Sequence, residues 1–320
     1  MSSTHETQPV RDVIVIGGGA AGLSAALTLA RARRTVTVLD AGHPRNEAAV
    51  AAHGLLGNEG INSHELVARG RSEAQHYGAE IIQSRVTAAE PIDEGFLVTT
   101  DDDQSLGAAQ LIVATGVSDV LPSIEGLGAR WGREVVHCPY CHGWEIRDQT
   151  LGVIATSATS AYQAILFQQW TPDVTLFRNG FDFEAEALAK LDAVGIPVID
   201  TPVAAVDITD DELTGLRLTD GQTVKLQAVG VSSGMRANLS GLEALGLETY
   251  DTPQGSFLQA DDTGNTNVPG VWSAGNVIDP DIQLGECASQ GARVAITLNN
   301  KLIFTRADAA LAASRTGTER

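Results

Sequence analysis

The stretch Val13-Ile14-Val15-Ile16-Gly17-Gly18-Gly19-Ala20-Ala21-Gly22 decides the fold. Four apolar residues in a row fit a strand buried on both faces, as in a parallel sheet. Glycines follow at once with G-x-G-x-x-G spacing. Gly17 permits a tight turn, Gly19 lets the backbone approach a pyrophosphate, and Gly22 lets helix and strand pack closely. Small residues with Leu23, Leu27 and Leu29 then read as a helix over 20–32, whose N-terminal N–H groups and positive dipole favour phosphate. Thr35 to Leu39 reads as a second strand ending on Asp40, where an acid accepts bonds from ribose hydroxyls. The unit is a dinucleotide site. The motif alone does not choose between FAD and NAD.

Working outward, Leu111-Ile112-Val113-Ala114-Thr115-Gly116 reads as another strand ending on small residues. A second strand, helix, strand unit is expected at Leu151 to Ile154, residues 159–169 and Val174 to Phe177. Two such units predict an α/β protein with two Rossmann-like domains. Gly270-Val271-Trp272-Ser273-Ala274-Gly275-Asn276 repeats the style of the third strand. A helix is expected from about Cys287 to Lys301, and the tail beyond Arg306 as a frayed helix end or disordered segment.

Between the two units lies His137-Cys138-Pro139-Tyr140-Cys141-His142. Two cysteines two residues apart close a small disulfide ring, and at the start of a helix one of them is stabilised as a thiolate. The flanking histidines can move protons near neutral pH. A dithiol would attack one sulfur, form a mixed disulfide and then resolve it. A zinc site using these cysteines and histidines, a thioredoxin-type C-x-x-C and an inert structural pair are the competing readings. Cys287 reads as a small buried apolar residue. His5, His43, His53, His64 and His76 show no metal spacing and read as structural, with His43 and His53 in the loop after the second strand.

Composition narrows the partners. Forty acidic residues against 21 basic ones give a formal charge of −19, which disfavours nucleic acid and anionic membrane surfaces. No window approaches the length of a membrane-spanning helix, and the polar N-terminus shows no secretory signal, so a cytoplasmic location is expected. Three cysteines are too few for a stapled secreted scaffold.

Together, the first glycine motif, the Ala114-Thr115-Gly116 strand end, the central C-x-x-C and Pro269 to Val277 resemble the low-molecular-weight thioredoxin reductases. The resemblance implies two three-layer ββα domains of the class II pyridine nucleotide-disulfide oxidoreductase type. Residues 1–119 and 242–320 would form a discontinuous FAD-binding domain, and 120–241 an NADPH-like domain carrying the cysteines. It implies FAD on Gly17, Gly19, Ala20, Ala21, Gly22, Asp40, Arg45, Asn46, Val86, Ala114, Thr115, Gly116, Gly275, Asn276, Gln283 and Leu284. Cys141 would face the flavin and Cys138 the substrate.

This sequence departs from that family in two places. Ala155-Thr156-Ser157-Ala158-Thr159-Ser160 stands where a second glycine-rich loop is expected, and added Cβ atoms obstruct a pyrophosphate. Arg178 is followed by acidic residues where a basic cluster for a 2′-phosphate belongs. NADPH is therefore not expected. His142 stands where the reductases carry an acid. Cys141-His142-Gly143-Trp144-Glu145 is similar to the thioredoxin reductase-like dithiol oxidases that act on holomycin- and gliotoxin-type molecules. That resemblance implies oxidation of a small-molecule dithiol through Cys138, Cys141, His142 and His137, with O₂ as acceptor, H₂O₂ as product, and a homodimer. The alternatives are an NADPH- or ferredoxin-fed disulfide reductase and a non-catalytic redox sensor.

Overall fold

The computed structural model describes residues 11–317, which form two compact units. His5 and the first residues of the protein lie outside the described residues. Among the described residues the first unit comprises 11–44, 64–118 and 236–317, and the second comprises 45–63 and 119–235.

In the first unit, β1 (Arg11–Ile16) leads through the glycine turn into α1 (Ala20–Arg31) and then β2 (Val36–Asp40). After α2 (Ser63–His76) come β3 (Glu80–Gln83), β4 (Val86–Ile92), β5 (Gly95–Thr100) and β6 (Ser105–Val113). The sheet order is β3-β2-β1-β6-β5-β4, and the returning strand Val271–Ser273 also pairs with β6. β3, β2, β1, β6 and the returning strand run parallel, whereas β4, β5 and β6 pair antiparallel.

The alternation of a strand explains the layers, since successive side chains point to opposite faces. Val13 and Val15 pack with α1 and with Val294 and Leu298 of the C-terminal helix. Ile14 and Ile16 face the other way, onto Phe96, Val98, Leu106 and Leu258. All four of these β1 side chains are buried, as a strand sandwiched between two layers requires. The unit is a three-layer ββα Rossmann-like domain.

The second unit repeats the plan. Strands Val198–Ile199, Val174–Phe177, Leu151–Ile154, Ala228–Val231 and Val135–Val136 form a parallel sheet in that order. Helices Thr159–Phe167 and Ala185–Ala193 contribute Ala164, Phe167 and Leu191 to the core on one face. An antiparallel meander, Val203–Thr209, Glu212–Leu218 and Thr223–Lys225, covers the other through Val203, Leu216 and Leu218.

Three expectations need correction. The helix expected over 287–301 spans Leu284–Gly317, so the tail beyond Arg306 is helical rather than frayed. Its run of alanines with Leu311 and two arginines has high helix propensity, which carries the helix past its last buried turn. Residues 45–63, expected in the first domain, group with the second unit. A Cβ on Gly132 would strike the Ala48 backbone at 2.6 Å, so this loop lies directly on the second unit's backbone. Residues 236–241 group with the first unit, where the Asn238 amide N–H donates to the Gly116 carbonyl at 3.0 Å.

Candidate functional site

The first site is a cradle at the C-terminal end of β1. Gly17 adopts φ +105°, which disfavours any side chain, and a Cβ there would lie 2.4 Å from the Ala114 carbonyl oxygen. A Cβ on Gly22 would lie 1.9 Å from the Gly17 carbonyl oxygen, so α1 packs on the turn only because Gly22 has none. Around Gly19 nothing lies within 4 Å of the Cβ position, which leaves open space for a ligand. Ala20 and Ala21 open α1, and Gly275 approaches Ala21 so closely that an added Cβ would sit 2.9 Å from it. A cavity of about 810 Å³ borders this turn, lined among others by Gly17, Asp40, Val86, Thr115, Arg236 and Asn238.

The residues fit a dinucleotide. The Thr115 hydroxyl is buried and has no hydrogen-bond partner among the described residues, so it is aimed at a polar group supplied from outside. Gly116, with φ +67°, ends this strand beside it. Asp40 forms an ion pair with Arg71, a partner the sequence pattern does not reveal because α2 lies far along the sequence. A carboxylate has acceptor capacity beyond one guanidinium N–H. At the far end, the Asn276 amide donates to the carbonyls of Asp279 (3.0 Å) and Ile282 (2.9 Å), which orders the turn before the C-terminal helix. Gln283 and Leu284 stand at the start of that helix, where the Gln283 amide donates to the Glu286 carboxylate at 2.9 Å.

Arg45 and Asn46, expected with this cradle, group with the second unit. Arg45 donates to both Asp119 oxygens, at 3.0 Å from Nε and 2.8 Å from a terminal nitrogen. The Ser233 hydroxyl donates to Asp119 at 2.8 Å, and the Ser233 amide donates to Nδ1 of His137 at 3.1 Å. Burial pushes the Asp119 carboxyl up, but the hydrogen bonds and charge of Arg45 outweigh it and hold the group below its usual range.

The network ends beside the cysteines. Cys138 occupies the N-cap of the short helix Pro139–His142, with proline at its first position, where the missing N–H costs nothing. The Cys138 carbonyl accepts the amides of Cys141 (3.2 Å) and His142 (3.1 Å), which sets the two thiols on one turn. Both are free and half-buried. The Cys141 thiol donates to Cys138, and the Cys141 and Tyr140 amides and Arg45 add to this, so Cys138 is drawn down to about 7 despite burial. Cys141 is pushed up by that same bond, by burial and by the neighbouring thiolate. One thiol is thus a nucleophile near neutral pH and the other is held protonated.

His142 follows. Both its ring nitrogens are buried without a hydrogen-bond partner among the described residues. Burial pushes its pKa down, against the charge of Glu145, so the ring is neutral near pH 7. Cys287, by contrast, is buried among apolar neighbours of the first unit. Among the described residues no group of three His, Cys, Asp or Glu gathers to hold a metal.

In the loop Ala155 to Ser160, two amides share one hydroxyl acceptor. The buried Ser160 hydroxyl oxygen accepts the Thr156 amide at 3.1 Å and the Ser157 amide at 3.4 Å. Arg178 is committed to Asp182 (2.7 Å), Asp200 (3.1 Å) and the Phe181 carbonyl (3.2 Å).

Residues 11–292 match the family described as pyridine nucleotide-disulphide oxidoreductase. The crystal structure of HlmI superposes with a TM-score of 0.89 at 40% identity, covering 99% of each protein. An oxidoreductase from Agrobacterium tumefaciens superposes with a TM-score of 0.87 at 34% identity, over 92% of this protein and 99% of that one. The protein named thioredoxin reductase tcpT of Claviceps purpurea is 30% identical, covering 84% of this protein and 87% of its own length. No helix among the described residues is long and apolar enough to cross a membrane.

Proposed function

We propose that this protein, which belongs to the pyridine nucleotide-disulphide oxidoreductase family, oxidises a small-molecule dithiol to its intramolecular disulfide and passes the electrons through FAD to O₂, giving H₂O₂. The family implies a flavin and a thiol/disulfide oxidoreductase. The direction of flow is our reading. One observation carries it: the loop where NADPH phosphates would sit spends its amides on Ser160. A pyrophosphate is held by free backbone N–H groups at a helix start, and this loop offers them a hydroxyl instead. NADPH is therefore not the electron source in this reading, and the dithiol is.

Gly17, Gly19, Gly22, Asp40, Thr115 and Asn276 would hold FAD, which when bound supplies a two-electron acceptor that O₂ reoxidises. The remaining steps belong to the protein's own residues. Neutral His142 takes the proton of a substrate thiol, with His137 fixed nearby by Ser233. The substrate thiolate attacks the Cys138 sulfur of the oxidised pair, and the breaking S–S bond leaves its electron pair on Cys141. Cys138 is the better leaving thiolate because its pKa is the lower, so the second substrate thiol displaces it and closes the substrate disulfide. The Cys138–Cys141 bond re-forms as the pair gives up two electrons, which the flavin held by the residues above would accept.

Anaerobic titration of the holoenzyme tests the reading. Dithiothreitol is expected to bleach the flavin rapidly and NADPH slowly, with H₂O₂ forming when air is admitted. Rapid bleaching by NADPH with none by dithiol overturns it. The homodimer and the cytoplasmic location belong to the same reading, the former checked by light scattering.

A further inference from the structure

His137 stands at the end of a chain of hydrogen bonds in which chemistry fixes every donor. Arg45 only donates, and it gives Nε and a terminal nitrogen to Asp119 at 3.0 and 2.8 Å. The Asp119 carboxylate only accepts, so the Ser233 hydroxyl 2.8 Å away gives its proton to it. That hydroxyl oxygen also lies 3.4 Å from His137 Nδ1, but its one proton is spent. The Ser233 backbone N–H, which can only donate, lies 3.1 Å from the same nitrogen. Nδ1 therefore presents a lone pair, and the single proton of neutral His137 sits on Nε2. A protonated Nδ1 donating to the hydroxyl oxygen would set two N–H groups against each other.

Burial strengthens this arrangement. Ser233 is 2% exposed, so solvent does not replace Nδ1 as the acceptor of its amide, and a proton on Nδ1 would strand that amide. On the backbone side, Gln163 Nε2 from the helix Thr159–Phe167 donates to the His137 carbonyl at 2.6 Å, and Gln163 is itself buried. His137 is thus tied by ring and by backbone to two different elements, immediately before Cys138. The Asp119 charge pulls the other way, toward an imidazolium, but Arg45 already balances it. His142 differs. Both its ring nitrogens are buried without a hydrogen-bond partner among the described residues, so it takes a proton without breaking a bond.

We propose that the two histidines divide the work: His137 is a positioning residue, locked by Ser233 and Asp119 as the Nε2–H tautomer, and His142 alone takes protons from the dithiol. The inference rests on the reading that a dithiol is the electron source. The substrate S–H bond breaks and an N–H bond forms on His142. The electron pair left on the substrate sulfur makes the bond to Cys138, and Cys141 takes the pair of the broken disulfide. No proton passes to or from His137 in this step. Its ring acts through Cys138, whose backbone it anchors. The charged and titratable groups acting on the two rings are Asp119 on His137, with Arg45 behind it, and Glu145, His53 and His137 on His142.

Nitrogen NMR of the holoenzyme with isotopically labelled histidine tests the tautomer, the His137 signals being those lost in His137→Asn. Nδ1 is expected to stay unprotonated and Nε2 protonated between about pH 5 and 8, where an ordinary imidazole titrates. A His137 ring that titrates in that range, or that carries its proton on Nδ1, overturns the lock. The pH profile of anaerobic flavin bleaching by dithiothreitol tests the division of work. His142→Gln is expected to slow bleaching about a hundredfold and to erase the acid limb of the profile. His137→Asn keeps an oxygen acceptor for the Ser233 amide, and is expected to slow bleaching by less than about tenfold with the limb at its wild-type midpoint. His137→Leu offers no acceptor and is expected to be slower than His137→Asn, again with the limb in place. A limb that moves or vanishes in His137→Asn while His142→Gln keeps it overturns the proposal and leaves the dithiol reading standing. A wild-type holoenzyme that no dithiol reduces overturns both.

Discussion

The Ser160 hydroxyl oxygen accepts the Thr156 amide N–H at 3.1 Å and the Ser157 amide N–H at 3.4 Å, in the loop that leads into the helix Thr159–Phe167. The hydroxyl supplies an acceptor to two of the loop's amides.

Ser160→Ala removes that acceptor from two amides of a part-buried loop. A loss of about 1 kcal/mol of stability is expected in chemical denaturation. The variant is not expected to gain rapid flavin reduction by NADPH, because Arg178 remains tied to Asp182 and Asp200. Rapid NADPH bleaching in Ser160→Ala would show that the hydroxyl alone bars the coenzyme.

Gly19 and Gly22 of the first motif separate folding from cofactor binding. Gly19→Ala places its methyl in open space, so the apoprotein is expected to melt like wild type while flavin retention falls. Gly22→Ala drives a methyl to 1.9 Å from the Gly17 carbonyl oxygen, so it is expected to lose both melting temperature and flavin. Apoprotein melting and flavin absorbance per mole of protein, measured side by side, check the contrast. A destabilised Gly19→Ala apoprotein would count against the open cradle.

Much of this was legible in the sequence, and the limits are physical. β1, α1 and the second unit's strands Leu151–Ile154 and Val174–Phe177 stand out because strands buried on both faces read as unbroken apolar runs. The antiparallel strands are less legible. Val86–Ile92 exposes most of its residues, so neither alternation nor an apolar run marks it. Arg71 beside Asp40, and Arg45 beside Asp119, arise from pairings of residues 31 and 74 positions apart, which no local pattern encodes. His53 shows the same limit. Beside Glu59 it reads as an ordinary loop residue, and only the fold adds Glu145 on its other side.

Arg130 is 2% exposed and its guanidinium meets Glu134 and Asp211. Its pKa is raised, chiefly by the hydrogen bonds to Glu134. Arg130→Ala strands the half-buried Glu134 carboxylate and leaves a hole under the meander turn. A loss of about 3 kcal/mol is expected in denaturant melts, with flavin content unchanged. A loss below about 1 kcal/mol would mean that the pair behaves as a surface salt bridge.

The asymmetry of the two thiols can be read directly. With Cys138 drawn down to about 7 and Cys141 pushed up, iodoacetamide should modify one thiol of the reduced enzyme, with a rate midpoint near pH 7. Removing each cause should move that midpoint in order of its weight. Cys141→Ala deletes the thiol donor, the largest cause, and should raise the midpoint most. Arg45→Gln deletes the weakest of these causes and should raise it least. Because the folded pKa lies below the ordinary value of 9.0, the thiolate stabilises the reduced protein fully above pH 9 and loses that effect as pH falls through about 7. The reduced form should therefore melt at higher temperature as pH rises from 7 to 9, and Cys138→Ser should remove that slope. A midpoint near 9 in wild type, or equal modification of both cysteines, would remove the basis for Cys138 as the leaving sulfur.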